Sequence, residues 1–222
     1  MVDFKLKIDS NNIEDLLDRV EQSFDIKFGN TELMHITTFG ELCDHIATKV
    51  QLNHSDDCTT QQAFYKLRSA ILVLFKIDGK TISTNTQLAD LLPQKNRRKK
   101  IQKLEKILGI KLNVLQPKLW LVTTFFILLL ASLVGFYIYW QIGLLGLIIS
   151  ICGLFLVNKI GSEFNVQTVG EVAEKITREN YLKSRRNSKT FNKNEIEKVL
   201  IDLFSSDLGL KKCELAREAK FI

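Results

Sequence analysis

Residues 119–158 contain no Asp, Glu, Lys or Arg, and nothing else in the 222 residues narrows the fold as much. A helix needs about 20 apolar residues to cross the hydrocarbon core of a bilayer, so the run is long enough for two crossings. It lies in mid-chain, unlike a cleaved leader, and residues 1–10 are too polar to be one. Trp120 stands at its start, and Tyr137, Tyr139 and Trp140 stand near its middle. Aromatic side chains with a polar edge settle at the headgroup level. The Tyr/Trp cluster with Gln141 therefore predicts a tight hairpin turn at the far interface. Residues 142–157 are short for a second full span, and tilt or snorkelling by Lys159 would make up the difference. Gly135, Gly143, Gly146, Gly153 and Gly161 would let the two arms approach closely.

Charge orients this hairpin. The chain is +6 overall, yet residues 1–49 hold ten acidic and five basic side chains. Residues 50–93 balance, and the excess of positive charge borders the apolar run. Arg97, Arg98, Lys99, Lys100, Lys103, Lys106, Lys111 and Lys118 precede the run. Lys159, Lys175, Arg178, Lys183, Arg185, Arg186 and Lys189 follow it. Positive charge stays on the cytoplasmic side, so two basic flanks predict a hairpin with both termini cytoplasmic. One long tilted span or a re-entrant loop is the alternative. The expected location is integral to a membrane, the inner or plasma membrane in a bacterium. Within residues 97–115, Ile101, Leu104 and Leu108 share one helical stripe with lysines around it. Such a helix fits an anionic leaflet, with Arg97, Arg98, Lys99, Lys100 and Lys103 at lipid headgroups. A solvated topology signal is the competing reading. Nucleic acid is disfavoured, because no aromatic stacking residues interleave the basic run.

The soluble segments read as helices throughout, which makes the expected class all-α: small helical bundles flanking a two-helix transmembrane hairpin. Ile13, Leu16, Leu17, Val20 and Phe24 have helical spacing, with Asn12 as the expected cap. Glu14, Asp15, Asp18 and Glu21 form an acidic face on that helix. A second helix follows Thr38 and runs through Ile46. A third opens at Cys58 with Ala63, Leu67, Ala70, Ile71 and Leu74 inward. The order recurs after the apolar run. Thr168-Val169-Gly170-Glu171-Val172 repeats Thr38-Phe39-Gly40-Glu41-Leu42, and residues 192–208 repeat the 58–75 helix. The close Glu218-Ala219-Lys220-Phe221 mirrors Asn85-Thr86-Gln87-Leu88. The expected division is an acidic helical domain at 1–93, a basic amphipathic connector at 94–118 and the hairpin at 119–158. A C-terminal helical segment, a partial repeat on the cytoplasmic side, occupies 159–222.

These segments resemble acyl carrier proteins. Phe24-Asp25-Ile26-Lys27-Phe28, followed by Ile36-Thr37-Thr38-Phe39-Gly40-Glu41-Leu42-Cys43-Asp44-His45-Ile46, is similar to the closing part of that family. Residues 195–221, with Leu208-Gly209-Leu210 and Glu218-Ala219-Lys220-Phe221, are similar to its opening helix and loop. The family's end thus precedes its beginning, which implies a permuted and partial copy. The family carries phosphopantetheine on a serine in an Asp-Ser-Leu motif at the head of its second helix. Asp9-Ser10 falls at the matching place, with Asn11 where the family has leucine. The resemblance implies attachment at Ser10; a capping role within Asp9-Ser10-Asn11-Asn12 is the other reading. It also implies that Glu14, Asp15, Asp18 and Glu21 dock basic patches on acyl-handling enzymes.

Catalytic chemistry is not legible. His35, His45 and His54 lack metal-ligand spacing, and Cys43, Cys58, Cys152 and Cys213 are scattered. Neither a phosphate-binding glycine loop nor a nucleophile elbow is present. The reading is a non-enzyme: a membrane-anchored carrier or adaptor for lipid- or acyl-modifying enzymes. The alternative is a membrane scaffold that binds proteins without a prosthetic group.

Overall fold

A computed structural model describes residues 5–6, 10–29, 31–76 and 81–221, with the side chains at 5, 6, 10, 11 and 138 outside that description. The chain is mostly helical. In order, its elements are β1 (Lys5–Leu6), α1 (Ser10–Phe24), α2 (Phe39–Lys49), β2 (Asn53–His54), α3 (Thr59–Phe75), α4 (Leu88–Leu91) and α5 (Arg97–Leu108). Then come β3 (Leu115–Gln116), α6 (Leu119–Ile138), α7 (Trp140–Ile160), β4 (Glu163–Phe164), α8 (Val169–Glu179), α9 (Tyr181–Ser184), β5 (Thr190–Phe191), α10 (Ile196–Leu208) and β6 (Lys220–Phe221). The strands are two-residue ties. β1 pairs with β6 and β2 with β5 in parallel, and β3 pairs with β4 antiparallel.

Among the described residues, two hydrophobic cores organise the chain outside the apolar run, and neither follows the linear order. The first gathers Leu16, Val20 and Phe24 of α1, Phe39 and Ile46 of α2, Tyr181 of α9, and Leu200 and Phe204 of α10. The second gathers Leu67 and Ile71 of α3, Ile101 and Leu104 of α5, and Val172 and Ile176 of α8. The expected boundaries at 93 and 159 are therefore corrected. Residues 10–50 close their core with 181–221, here the split lobe. Residues 59–115 close theirs with 163–179, here the central lobe. An amphipathic helix is stable only when another element covers its apolar stripe. In both lobes the covering helix comes from the far side of the apolar run.

The lobes repeat one another element by element. Ile196, Leu200, Leu203 and Phe204 are buried in α10, and Ala63, Leu67, Ala70 and Ile71 are buried in α3, at one constant offset. Both helices end on a left-handed residue at that same offset, Gly209 and Lys76. α1 corresponds to α5. Phe24-Asp25-Ile26-Lys27-Phe28 matches Leu108-Gly109-Ile110-Lys111-Leu112, and Asp25 (φ 51°) and Gly109 (φ 68°) turn the chain alike. Glu21 accepts the Phe28 N–H, and Glu105 accepts the Leu112 N–H. α2 corresponds to α8: Thr38 and Thr168 cap them, each Oγ1 accepting the N–H of the glutamate three residues on at 3.2 Å. Gly40 N–H donates to Arg217 O and Gly170 N–H to Thr84 O, both at 2.8 Å. A Cβ on Gly40 would lie 2.8 Å from Arg217 O, and one on Gly170 2.9 Å from Thr84 O. The same close approach excludes a side chain in both lobes.

The apolar hairpin is an insertion into this plan. It occupies the central lobe's place for the short loop 29–37 of the split lobe. β3 and β4 clasp its base, and α6 and α7 fold back antiparallel about Tyr139. Gly143 meets Phe136, Gly146 meets Ser132, and Gly153 meets Phe125. With Ser150 they recur every three or four residues along α7, which lets the two helices approach closely. α6 has 20 residues and α7 has 21, each about 30 Å long at the helical rise. The second arm is longer than the sequence reading gave, because α7 begins at Trp140 and runs to Ile160. Both helices are long and apolar enough to cross a membrane. Their outer faces are uncovered among the described residues: Ile127 is 65% exposed, Ile142 66% and Phe155 67%. An apolar surface of this extent is unusual on a water-soluble monomer.

Candidate functional sites at the head of α1 and the lobe junction

β6 lies beside β1, with Lys220 next to Lys5 and Phe221 next to Leu6. The end of the described chain thus returns to the strand that leads into α1. Ser10 is the first residue of α1, two residues earlier than the expected cap at Asn12; its side chain lies outside the described residues. First-turn N–H groups have no partners inside their own helix, and the helix dipole favours an anion there. Glu14, Asp15 and Asp18 are exposed on the same helix. Glu21 is not part of this face. It is buried, receives Lys27 and the Phe28 N–H, and so fastens the turn after α1. The Lys27 hydrogen bond holds its carboxyl below the usual carboxylate range.

The basic residues of α5 separate into two sets. The stripe of Ile101 and Leu104 faces the central core, with Leu108 packed against it, and is not free to lie on a leaflet. This corrects the reading in which the apolar stripe of α5 lies on a leaflet. Arg97 is buried: its Nε donates to Leu92 O (2.9 Å), its Nη1 to Ser162 O (2.6 Å), and its guanidinium lies 4.2 Å from the centre of the Phe164 ring. It ties the two sides of the hairpin together and is unavailable to headgroups. Lys100 extends over the Phe75 ring at 5.2 Å. Arg98 is half-buried, and Lys99 and Lys103 are exposed.

A polar network at the lobe junction was not anticipated from the sequence. Arg185, 1% exposed, donates to Ser55 O and Asp57 O at 3.2 Å and to Thr59 Oγ1 at 2.6 Å. Thr59 Oγ1 donates to Glu195 Oε2 at 2.6 Å, and the Thr59 N–H reaches Oε1 at 3.1 Å. The Tyr181 hydroxyl donates to the same carboxylate at 3.1 Å, and burial raises its pKa. Glu195, at the entry to α10, therefore caps α3 of the other lobe. Arg185 and Arg186 had read as flanking charge, and no pattern in one sequence separates a buried arginine from a solvated one. Thr59 is fully buried and bonded on both sides, so its hydroxyl is closed to substrates. A neighbouring cleft of about 810 Å³ has a mixed lining that includes Glu174, Arg178, Lys198 and Asp202. Among the described residues, no three His, Cys, Asp or Glu side chains are grouped to hold a metal.

No protein-family model matches the chain, and no curated protein or solved structure matches it either.

Proposed function

We propose that this chain is a membrane-anchored, acyl-carrier-like protein that works by binding rather than catalysis. The hairpin lies in the bilayer and both lobes face the cytoplasm. The split lobe presents Ser10 for phosphopantetheine, and Glu14, Asp15 and Asp18 for basic surfaces of acyl-handling enzymes. One observation carries the reading: the chain's two ends complete a single lobe, in which β6 returns beside β1 to the head of α1. That is the order in which the resemblance to acyl carrier proteins runs. When attached, phosphopantetheine supplies a thiol that holds acyl groups as thioesters. Ser10 would hold it, and the first turn of α1 would favour its phosphate. The exposed apolar faces of α6 and α7 support insertion, because a bilayer would cover them.

The test is the intact mass of the full-length protein purified from its native host. A gain equal to phosphopantetheine, lost in Ser10→Ala, is expected. An unmodified mass in the presence of the host's own transferase would sink attachment. For topology, a cysteine at Gln141 is expected to react from the far side of the membrane; reaction from the cytoplasmic side alone would reject the hairpin. A second reading, a scaffold without a prosthetic group, is favoured by the central lobe. It keeps the same plan with Gln94 at the place that matches Ser10, and Gln94 is bonded to Glu163 at 3.4 Å.

A further inference from the structure

We propose that the base of the hairpin is a headgroup clamp for anionic phospholipid, formed by Arg98 and Lys99 of α5 with Lys118 and Lys159 at the two ends of the apolar run. The proposal rests on the hairpin lying in a bilayer. Lys118 immediately precedes α6, Lys159 lies in the last turn of α7, and Gly161 follows α7 directly. The first turn of α5 is fastened to that same base. Arg97 Nη1 donates to Ser162 O at 2.6 Å, and Arg98 Nη1 reaches Gly161 O at 3.5 Å. Arg98 and Lys99 therefore stand beside the level at which the hydrocarbon would begin.

The repeated plan shows that the fold does not require these charges. Arg98 and Lys99 occupy the places that Glu14 and Asp15 occupy on α1, so the split lobe builds the same helix with carboxylates. Nor are three of the four charges neutralised among the described residues. Lys99 and Lys159 are exposed and enter no ion pair among the described residues, and Arg98 meets a carbonyl rather than a carboxylate. Lys118 shares Glu163 at 3.8 Å. Trp120, 62% exposed, lies two residues inside Lys118, where interfacial tryptophans sit. Uncompensated cations, a tryptophan and the mouth of an apolar hairpin together fit a phosphodiester headgroup. The consequence is an orientation. An anionic leaflet attracts the central lobe and repels Glu14, Asp15 and Asp18, which turns the head of α1 toward soluble partners.

The experiment titrates the full-length protein, in neutral detergent, with short-chain phosphatidylglycerol, short-chain phosphatidylcholine or inorganic phosphate, and follows the thermal midpoint. Phosphatidylglycerol alone is expected to raise it. Arg98→Gln with Lys159→Gln should weaken the apparent affinity by about fivefold for each charge removed. Lys103→Gln with Lys106→Gln, further along α5, should leave it unchanged. An equal response to phosphatidylcholine, an equal response to free phosphate, or an affinity untouched by the Arg98/Lys159 pair would each overturn the clamp. Carbonate extraction of native membranes separates this from the reading beneath it. Release of the protein overturns the hairpin's insertion and the clamp with it. Retention without a phosphatidylglycerol response overturns the clamp alone.

Discussion

In the split lobe the short loop 29–37 joins the second helix of the plan to the third. In the central lobe the same connection rises through two apolar helices and returns between β3 and β4. The third helix nevertheless docks identically in both, with its first turn bonded to Arg217 and Ala219 in one lobe and to Thr84 and Thr86 in the other. Docking is thus set by the receiving loop rather than by the connection, which leaves the connection free to carry an insertion. A second contrast concerns charge. The core pairs Leu67/Leu200, Ile71/Phe204, Ile46/Ile176 and Val20/Leu104 are apolar and buried in both lobes, whereas α1 shows carboxylates where α5 shows cations. Buried residues fix the plan, and exposed ones choose what each lobe faces.

The sharpest contrast between the lobes is chemical. Cys43 is buried in α2, and burial pushes its thiol up to about 12; the equivalent residue of α8 is Ala173. Because the thiolate is the reactive form, Cys43 should alkylate about a thousandfold more slowly than an ordinary thiol at pH 8. Cys58 and Cys213 are exposed and should react promptly. Peptide mapping after timed alkylation checks this, and rapid loss of the Cys43 thiol in folded protein would mean that the split core is not closed. Cys152 is exposed on α7. It should stay unlabelled by a charged maleimide in intact membranes and become labelled in detergent only to the extent that micelles admit the reagent.

Arg185→Met tests whether the lobes stand or fall together. It leaves Thr59 and two carbonyls without their shared donor, and Glu195, 4.0 Å away, without its cation, a loss on the order of 3–5 kcal/mol for a buried charged network. One cooperative transition shifted to lower denaturant is expected. Two separated transitions would show that the junction, and little else, couples the lobes. Gly40→Ala and Gly170→Ala then compare the lobes directly. Each places a Cβ under 3 Å from a backbone carbonyl, and each should cost about 1–3 kcal/mol through the forced shift. A large cost at one position and none at the other would break the equivalence of α2 and α8.

Much of this plan was legible. The Thr-x-Gly-Glu repeat, the match of 192–208 to 58–75 and the mirrored closes at 85–88 and 218–221 all mark true equivalences, because caps and close approaches leave local signatures. Which copy pairs with which was not legible. The apolar faces of α1 and α3 carry no mark of their partner, so adjacency in sequence suggested a unit at 1–93. The match between Phe24-Asp25-Ile26-Lys27-Phe28 and Leu108-Gly109-Ile110-Lys111-Leu112 would have resolved the order, with the Glu21 and Glu105 locks as its second signal. At the candidate site, motif and spacing gave the expectation for Ser10, Glu14, Asp15 and Asp18, and the last three are exposed on α1. Glu21 and Arg97 were misplaced because a charged residue at or near a helix end reads as solvated until its partner is known.

The smallest effect expected is in acid, and it distinguishes the two connections. Loop 29–37 of the split lobe is held by Glu32, which receives Lys49 Nζ (2.6 Å to Oε2), the Gly29 N–H (2.7 Å) and His45 Nε2 (2.8 Å). The Lys49 hydrogen bond is the main cause that lowers its carboxyl from 4.5 to about 2, with the Gly29 and His45 bonds adding to it. The folded state therefore binds the proton less readily than the unfolded chain. The stabilisation is complete above pH 4.5 and is lost as pH falls from 4.5 toward 2. Ion pairs this close to solvent contribute little, and salt screens them. The central lobe replaces this loop with the β3–β4 clasp, whose backbone bonds do not titrate. Hydrogen exchange from pH 5 down to pH 3 should show α2 losing protection before α8. Glu32→Gln should remove that difference by lowering the protection of α2 at pH 5 to its acid value. Equal loss in both helices, unchanged by Glu32→Gln, would mean that the connection does not govern how firmly the third helix is held.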